Sequence, residues 1–216
     1  MRKAIAGIVM SFWAFPAFAE GVVIAALGDS LTQGYGLQQA DGFVPQLETW
    51  LQDQGAEVTL INAGVSGDTT AGGASRVAWT LTPEVDAMIV ALGGNDLLRG
   101  IDPSVGRANL ESILQAAKAA DVAVLLVGMQ APGNYGPAYK DAFDAMYPEL
   151  AAQYGALFQD SFFDGLGGAG LDPAQARPFL QADGIHPNAD GVKKIVEGFG
   201  PNVLALIKAA QVADGS

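Results

Sequence analysis

The stretch that decides the fold is Val22-Val23-Ile24-Ala25-Ala26-Leu27-Gly28-Asp29-Ser30-Leu31-Thr32-Gln33-Gly34. Its first part, Val22–Leu27, is apolar without strict alternation, the pattern of a strand buried on both faces. The chain then turns through small residues onto a hydroxyl. Four further apolar runs share the character of the first: Val58–Ile61, Ala87–Leu92, Val122–Val127 and Ala156–Gln159. The segments between them have helical spacing. Phe43, Leu47, Trp50 and Leu51 form one stripe, Leu110, Ile113, Leu114 and Ala117 a second, and Tyr139, Phe143, Met146 and Leu150 a third. A last helix is expected from about Asn188 to Ala209, with Val192, Ile195, Val196, Phe199, Val203 and Leu206 on one side. Such stripes are core faces. Strand alternating with helix predicts an α/β fold, a parallel sheet with helices on both faces. Ligands of such sheets bind beyond the carboxyl ends of the strands, where the strand order switches.

The 216 residues suit one domain with its own core. Half are hydrophobic and 16% are charged, a globular composition. The absence of cysteine excludes disulfides, thiolate metal sites and a cysteine nucleophile. A net charge of −12 repels phosphate backbones and other anionic polymers, which argues against a nucleic-acid partner.

Residues 1–19 read as a signal peptide. Arg2 and Lys3 supply a positive start, an apolar stretch runs from Ala4 to Phe15, and Pro16 precedes a small-x-small cleavage site at Ala17-Phe18-Ala19. The apolar stretch is too short to span a bilayer comfortably. Cutting before Glu20 would leave a single mature domain, residues 20–216, outside the cytoplasm in the periplasm or medium, without a stable membrane anchor. Gly165–Gly170 reads as a loop, and the tail Gln211 to Ser216, lacking an apolar stripe, is expected to fray.

The residues after the strands carry the chemistry. Ser30 follows the first strand, where it either points into the crevice or caps a helix. After the second strand come Gly64-Val65-Ser66-Gly67-Asp68-Thr69, whose small residues let the Gly67 N–H approach a bound oxygen while Asp68 or Thr69 caps the next helix. After the third come Gly93-Gly94-Asn95-Asp96. The Asn95 amide can donate to a developing oxyanion, although an isolated asparagine there is more often a turn residue. His186, the one histidine, stands in Asp183-Gly184-Ile185-His186-Pro187-Asn188. Asp183 can orient its ring, leaving the other nitrogen to take a proton from Ser30. Pro187 restricts the backbone of His186, and Asn188 suits the cap of the last helix. A serine hydroxyl needs such a base to become a nucleophile. The Ser30 N–H, the Gly67 N–H and the Asn95 amide would together form an oxyanion hole.

The blocks Gly28-Asp29-Ser30-Leu31, Gly64-Val65-Ser66-Gly67, Gly93-Gly94-Asn95-Asp96 and Asp183-Gly184-Ile185-His186, in this order, resemble those of the SGNH hydrolases, also called the GDSL family. The likeness extends over nearly the whole mature chain. It is nearest to the bacterial branch of acyl-CoA thioesterase I/lysophospholipase L1 and the arylesterases. The resemblance implies a three-layer, flavodoxin-like α/β/α fold with five parallel strands in the order 2-1-3-4-5. It implies no metal or other cofactor, and broad hydrolysis of esters and thioesters. The family's serine, glycine, asparagine and histidine fall on Ser30, Gly67, Asn95 and His186, and the aspartate on Asp183. The glycine-rich Gly165–Gly170 departs from the pattern and bears on substrate preference.

Other function classes fit less well. One histidine is thin ligation for zinc, even with Asp29, Asp68, Asp96 and Asp183 nearby. Oxygen-only magnesium binding usually needs a phosphate substrate to complete it. Neither a Gly-x-Gly-x-x-Gly turn nor a P-loop lysine supports nucleotide binding, and the lipase elbow Gly-x-Ser-x-Gly is missing. A non-catalytic binding module would not need the whole set of five site residues. A carbohydrate O-deacetylase is the alternative within the enzymes. The expected substrate is a small acyl ester or lysophospholipid, with Met129, Tyr135 and Phe162 as candidate acyl-chain contacts, or else as packing beneath the loops. Phe163 and Leu166 stand beside them, and the sequence leaves chain length and oligomeric state open.

Overall fold

The computed structural model describes residues 21–168 and 172–214. The proposed signal peptide, and Ala169 and Gly170 of the glycine-rich stretch, lie outside the described residues. Five strands, β1 (Val22–Gly28), β2 (Val58–Gly64), β3 (Ala87–Ala91), β4 (Ala123–Val127) and β5 (Leu157–Gln159), form one parallel sheet in the order β2-β1-β3-β4-β5. Among the described residues the eight α-helices are α1 (Ser30–Gln33), α2 (Phe43–Asp53), α3 (Thr70–Thr80), α4 (Gly94–Leu98), α5 (Pro103–Ala119), α6 (Pro137–Tyr154), α7 (Pro173–Ala176) and α8 (Ala189–Asp214).

Alternation along β1 divides the core in two. Ile24 and Ala26 face α2 and α8, meeting Phe43, Leu47, Val192, Ile195 and Phe199. Ala25 and Leu27 face the layer of α3, α5 and α6, meeting Leu110, Ile113 and Phe143. Burial on both faces explains why the strands read as continuous apolar runs. The aromatic centre of the first layer is Phe43, Phe162 and Phe199, with ring centroids 4.9 to 5.5 Å apart.

Two expectations are corrected. The tail does not fray at Gln211: α8 continues to Asp214. The Ala-rich run Lys208-Ala209-Ala210-Gln211-Val212-Ala213 favours helix without needing an apolar stripe, and Ala210 is buried against the core. The glycine-rich stretch is not a free loop at its start. Asp164–Leu166 forms a short 3-10 turn seated on α8, where a Cβ on Gly165 would stand 1.8 Å from the Lys194 carbonyl oxygen and one on Gly198 2.7 Å from Gly165 N. Only glycine permits this approach of two backbones. No helix among the described residues is long and apolar enough to cross a membrane.

Candidate active site

The register of the sheet assembles the site. Gly28, the last residue of β1, pairs with Gly64 of β2 on one side and with Ala91 of β3 on the other. The three segments that follow therefore leave from adjacent points, at strand spacings of about 4.8 Å. Ser30 opens α1, with Asp29 rather than Ser30 as the cap: Asp29 Oδ1 accepts the Leu31 N–H at 3.0 Å. Asn95 is the second residue of α4. Gly67 has φ +82°, a left-handed conformation that a side chain would strain. Of the two candidate caps for α3, Thr69 is the one, accepting from Gly72 N at 3.3 Å, while Asp68 pairs with Arg76 at 2.7 Å. The Arg76 guanidinium also donates to the carbonyls of Gly28 and Ala63, tying the ends of β1 and β2 to α3.

The turn before α8 brings in His186. Its Nε2 lies 2.8 Å from Ser30 Oγ, and its Nδ1 lies 2.7 Å from Asp183 Oδ2. The other carboxylate oxygen of Asp183 accepts the N–H groups of Ile185 and His186 at 2.9 and 3.0 Å, so one side chain holds both ring and backbone. These bonds, led by the one from His186, draw the Asp183 carboxyl down to about 2. With Nδ1–H donating to the carboxylate, Nε2 is left to accept from the hydroxyl. Asn188 caps α8 through Gly191 N at 2.9 Å.

Ser30, Gly67, Asn95 and His186 line one cleft of ≈ 360 Å³, walled by Leu31, Leu97, Leu98, Met129, Phe163 and Ile185. The wall is almost wholly apolar, and Leu98 and Ile185 stand at its open lip, 63% and 50% exposed. A larger groove of ≈ 620 Å³ lies outside β2 among Gln38, Gln39, Glu48 and Asn62, away from His186. Among the described residues, no group of three or more His, Cys, Asp or Glu side chains could hold a metal ion.

Of the three candidate acyl-chain contacts, Met129 lines the cleft and two do not. Phe162 is 2% exposed and turned into the core against Phe43 and Phe199, and its neighbour Phe163 takes the place at the wall. Tyr135 packs on Tyr139, with ring centroids 4.9 Å apart, and against Gly100, outside the cleft.

Several site residues were not singled out from the sequence. The Tyr35 ring lies on the His186 imidazole, with centroids 4.7 Å apart. Gln181 holds the two segments together, donating from Nε2 to the carbonyls of Tyr35 and Pro187 and from its backbone to His186 O. Asp96, adjacent to Asn95 and buried, accepts both the N–H and the hydroxyl of Thr70 at 2.8 and 2.6 Å. Arg99 donates to Gly67 O at 2.8 Å. Asp29 and Asp96 stood inside quoted blocks and were weighed only as metal ligands, while nothing in the sequence marked Tyr35, Gln181 or Arg99. Asp29 is 3% exposed; burial raises its carboxyl above the ordinary value, against hydrogen bonds from Leu31 and Asn95.

The model of the GDSL-like lipase/acylhydrolase family matches residues 26–194, most of the described chain. The chain belongs to that family. It is similar to the protein named esterase TesA of Pseudomonas aeruginosa, 38% identical over 88% of this chain and 91% of that one. It is also similar to the Escherichia coli K12 protein named thioesterase 1/protease 1/lysophospholipase L1, 33% identical over 88% and 86%. The crystal structure of AlinE4, described as an SGNH-hydrolase family esterase, superposes with a TM-score of 0.70 at 40% identity, covering 88% of this chain and 98% of that one. The GDSL-family α/β fold and its 2-1-3-4-5 strand order are thus those expected from the sequence.

Proposed function

We propose that this protein hydrolyses carboxylic ester and thioester bonds of apolar acyl groups through an acyl-enzyme intermediate on Ser30. The observation that carries the reading is the chain of contacts Ser30 Oγ to His186 Nε2, 2.8 Å, and His186 Nδ1 to Asp183 Oδ2, 2.7 Å, inside an apolar cleft. In this reading Ser30 Oγ attacks the acyl carbon as its proton passes to Nε2. Asp183 stabilises the imidazolium that forms. The Ser30 and Gly67 N–H groups and the Asn95 amide take the charge on the carbonyl oxygen. The imidazolium then protonates the departing alkoxide or thiolate, leaving acyl-Ser30. Water, deprotonated by Nε2, attacks this ester, and the acid departs as Ser30 regains its proton.

The names of the relatives, which include esterase, thioesterase and lysophospholipase, support the bond class. Residues 1–19 act as a signal peptide in this reading, and 20–216 work as a single domain in the periplasm or medium. There a lysophospholipid or another exported ester is the expected substrate in preference to an acyl-CoA, whose carrier is cytoplasmic. The test is hydrolysis of p-nitrophenyl esters, from acetyl to long acyl, by the mature protein beside Ser30→Ala. Turnover that rises with chain length and disappears in the variant is expected. Equal rates in the two proteins would sink the mechanism, and turnover confined to acetyl would favour the O-deacetylase.

A further inference from the structure

Asp29 is a buried carboxylate beside Ser30 to which the reaction above gives no task. It lies at the inner end of the cleft, and its two oxygens have separate donors: Leu31 N–H on Oδ1 at 3.0 Å and Asn95 Nδ2 on Oδ2 at 3.3 Å. We propose that Asp29 is a positioning residue that sets the sense of the Asn95 amide, so that Asn95 meets the substrate's carbonyl oxygen with N–H and not with its own oxygen. The inference rests on the reading of Asn95 as an oxyanion donor.

Acceptor supply decides the sense of the amide. The two ends of a side-chain amide have nearly the same shape, and a half-turn exchanges donor for acceptor. Only the donor end can stabilise an oxyanion; the flipped amide would set one oxygen against another. Asp29 removes the ambiguity, because a carboxylate accepts and does not donate. It takes one hydrogen of Nδ2 and leaves the second for the cleft. In the flipped sense two acceptors would face each other without a proton, in a pocket where Asp29 is almost fully buried.

The residue type fits this task closely. Serine, threonine or asparagine could cap α1 equally well through Leu31, but each offers too few acceptor oxygens, or too short a reach, to hold Asn95 as well. An asparagine at position 29 keeps the shape and has one acceptor oxygen for two donors. If that oxygen serves Leu31, its NH₂ faces Asn95 and favours the flipped amide. Nearby, the Thr70 contacts of Asp96 hold the backbone of α4. They fix where Asn95 stands and leave its amide free to turn.

The experiment is a double-mutant cycle on the mature protein with a p-nitrophenyl ester that the wild type turns over, reading kcat and KM separately. Asn95→Ala is expected to lower kcat by about 10²–10³-fold. Asp29→Asn should lower kcat roughly tenfold or more, as for partners in one hydrogen-bonded network, with KM nearly unchanged. Asp29→Ser, which retains a cap acceptor for Leu31 and cannot reach Asn95, should behave alike and covers the case of a poorly folding Asp29→Asn. The decisive reading is the double variant: if Asp29 acts through Asn95, adding Asp29→Asn to Asn95→Ala costs nothing further. Multiplying losses would mean that Asp29 acts on Ser30 or His186 instead and would overturn the inference, as would a wild-type kcat in Asp29→Asn. An unchanged kcat in Asn95→Ala would remove the oxyanion reading itself, and this inference with it.

Discussion

The ring of Tyr35 lies against the His186 imidazole, its plane tilted by 40°, and in the proposed mechanism His186 carries a positive charge at the height of the reaction. An aromatic face stabilises such a charge by about 1 kcal/mol at a half-exposed site, roughly fivefold in rate. Tyr35→Ala should therefore lower kcat by that factor and Tyr35→Phe should leave it, since the ring and not the hydroxyl makes the contact. Equal losses in both variants, measured by steady-state kinetics, would assign the effect to the hydroxyl. The pH dependence also follows from single residues. The Asp183 carboxyl, lowered from 3.8 to about 2, is ionised throughout the weakly acid and neutral range. In the proposed mechanism Asp183 should accordingly add no step to the pH profile of kcat across that range. A carboxylate step at or above 3.8 would show Asp183 to be free of its partner. For folding the sign is that of a depressed carboxyl: its contribution is present above 3.8 and is lost as pH falls towards about 2.

At the scale of elements, the site depends on how α3 and α4 are joined. Asp96 takes two hydrogen bonds from Thr70, whose hydroxyl also accepts from Asn109 of α5. Asp96→Ala would leave the Thr70 N–H unpaired in the interior, at a cost of about 1–3 kcal/mol. Urea denaturation should show a lower midpoint with an unchanged slope; an unchanged midpoint would mean that water replaces the carboxylate. The elements themselves were largely legible. Strands buried on both faces announce themselves as apolar runs, and the stripes of α2, α5 and α8 repeat at helical spacing. What could not be read was direction within a loop. Phe162 and Phe163 are adjacent and alike, and only tertiary packing decides that the first enters the core and the second faces the cleft. Tyr135, expected to touch the acyl chain, packs on Tyr139 instead. Four blocks in a fixed order pointed to Ser30, Gly67, Asn95 and His186 as a set, although each residue type alone is common at a turn, and the structure brings the four to one cleft. Tyr35, Gln181 and Arg99 act through backbone carbonyls or ring faces, contacts that residue type alone does not specify.

At the scale of the molecule, the outer edge of β2 is closed by its own neighbours. Glu48 accepts the Leu60 N–H at 2.6 Å and Asn62 the Gly64 N–H at 3.0 Å, which blunts the edge against another strand. The two groups of the proposed proton transfer, Ser30 and His186, are 156 residues apart and meet only when β1 and the turn before α8 are both in place. Loss of activity in denaturant should coincide with loss of the whole fold followed by circular dichroism. Activity vanishing well before the main transition would show that the histidine turn opens alone. The same separation gives the chain a built-in completeness check. In the proposed mechanism a polypeptide that ends before His186 holds Ser30 without its base, so activity waits for the turn before the last helix to be made and seated.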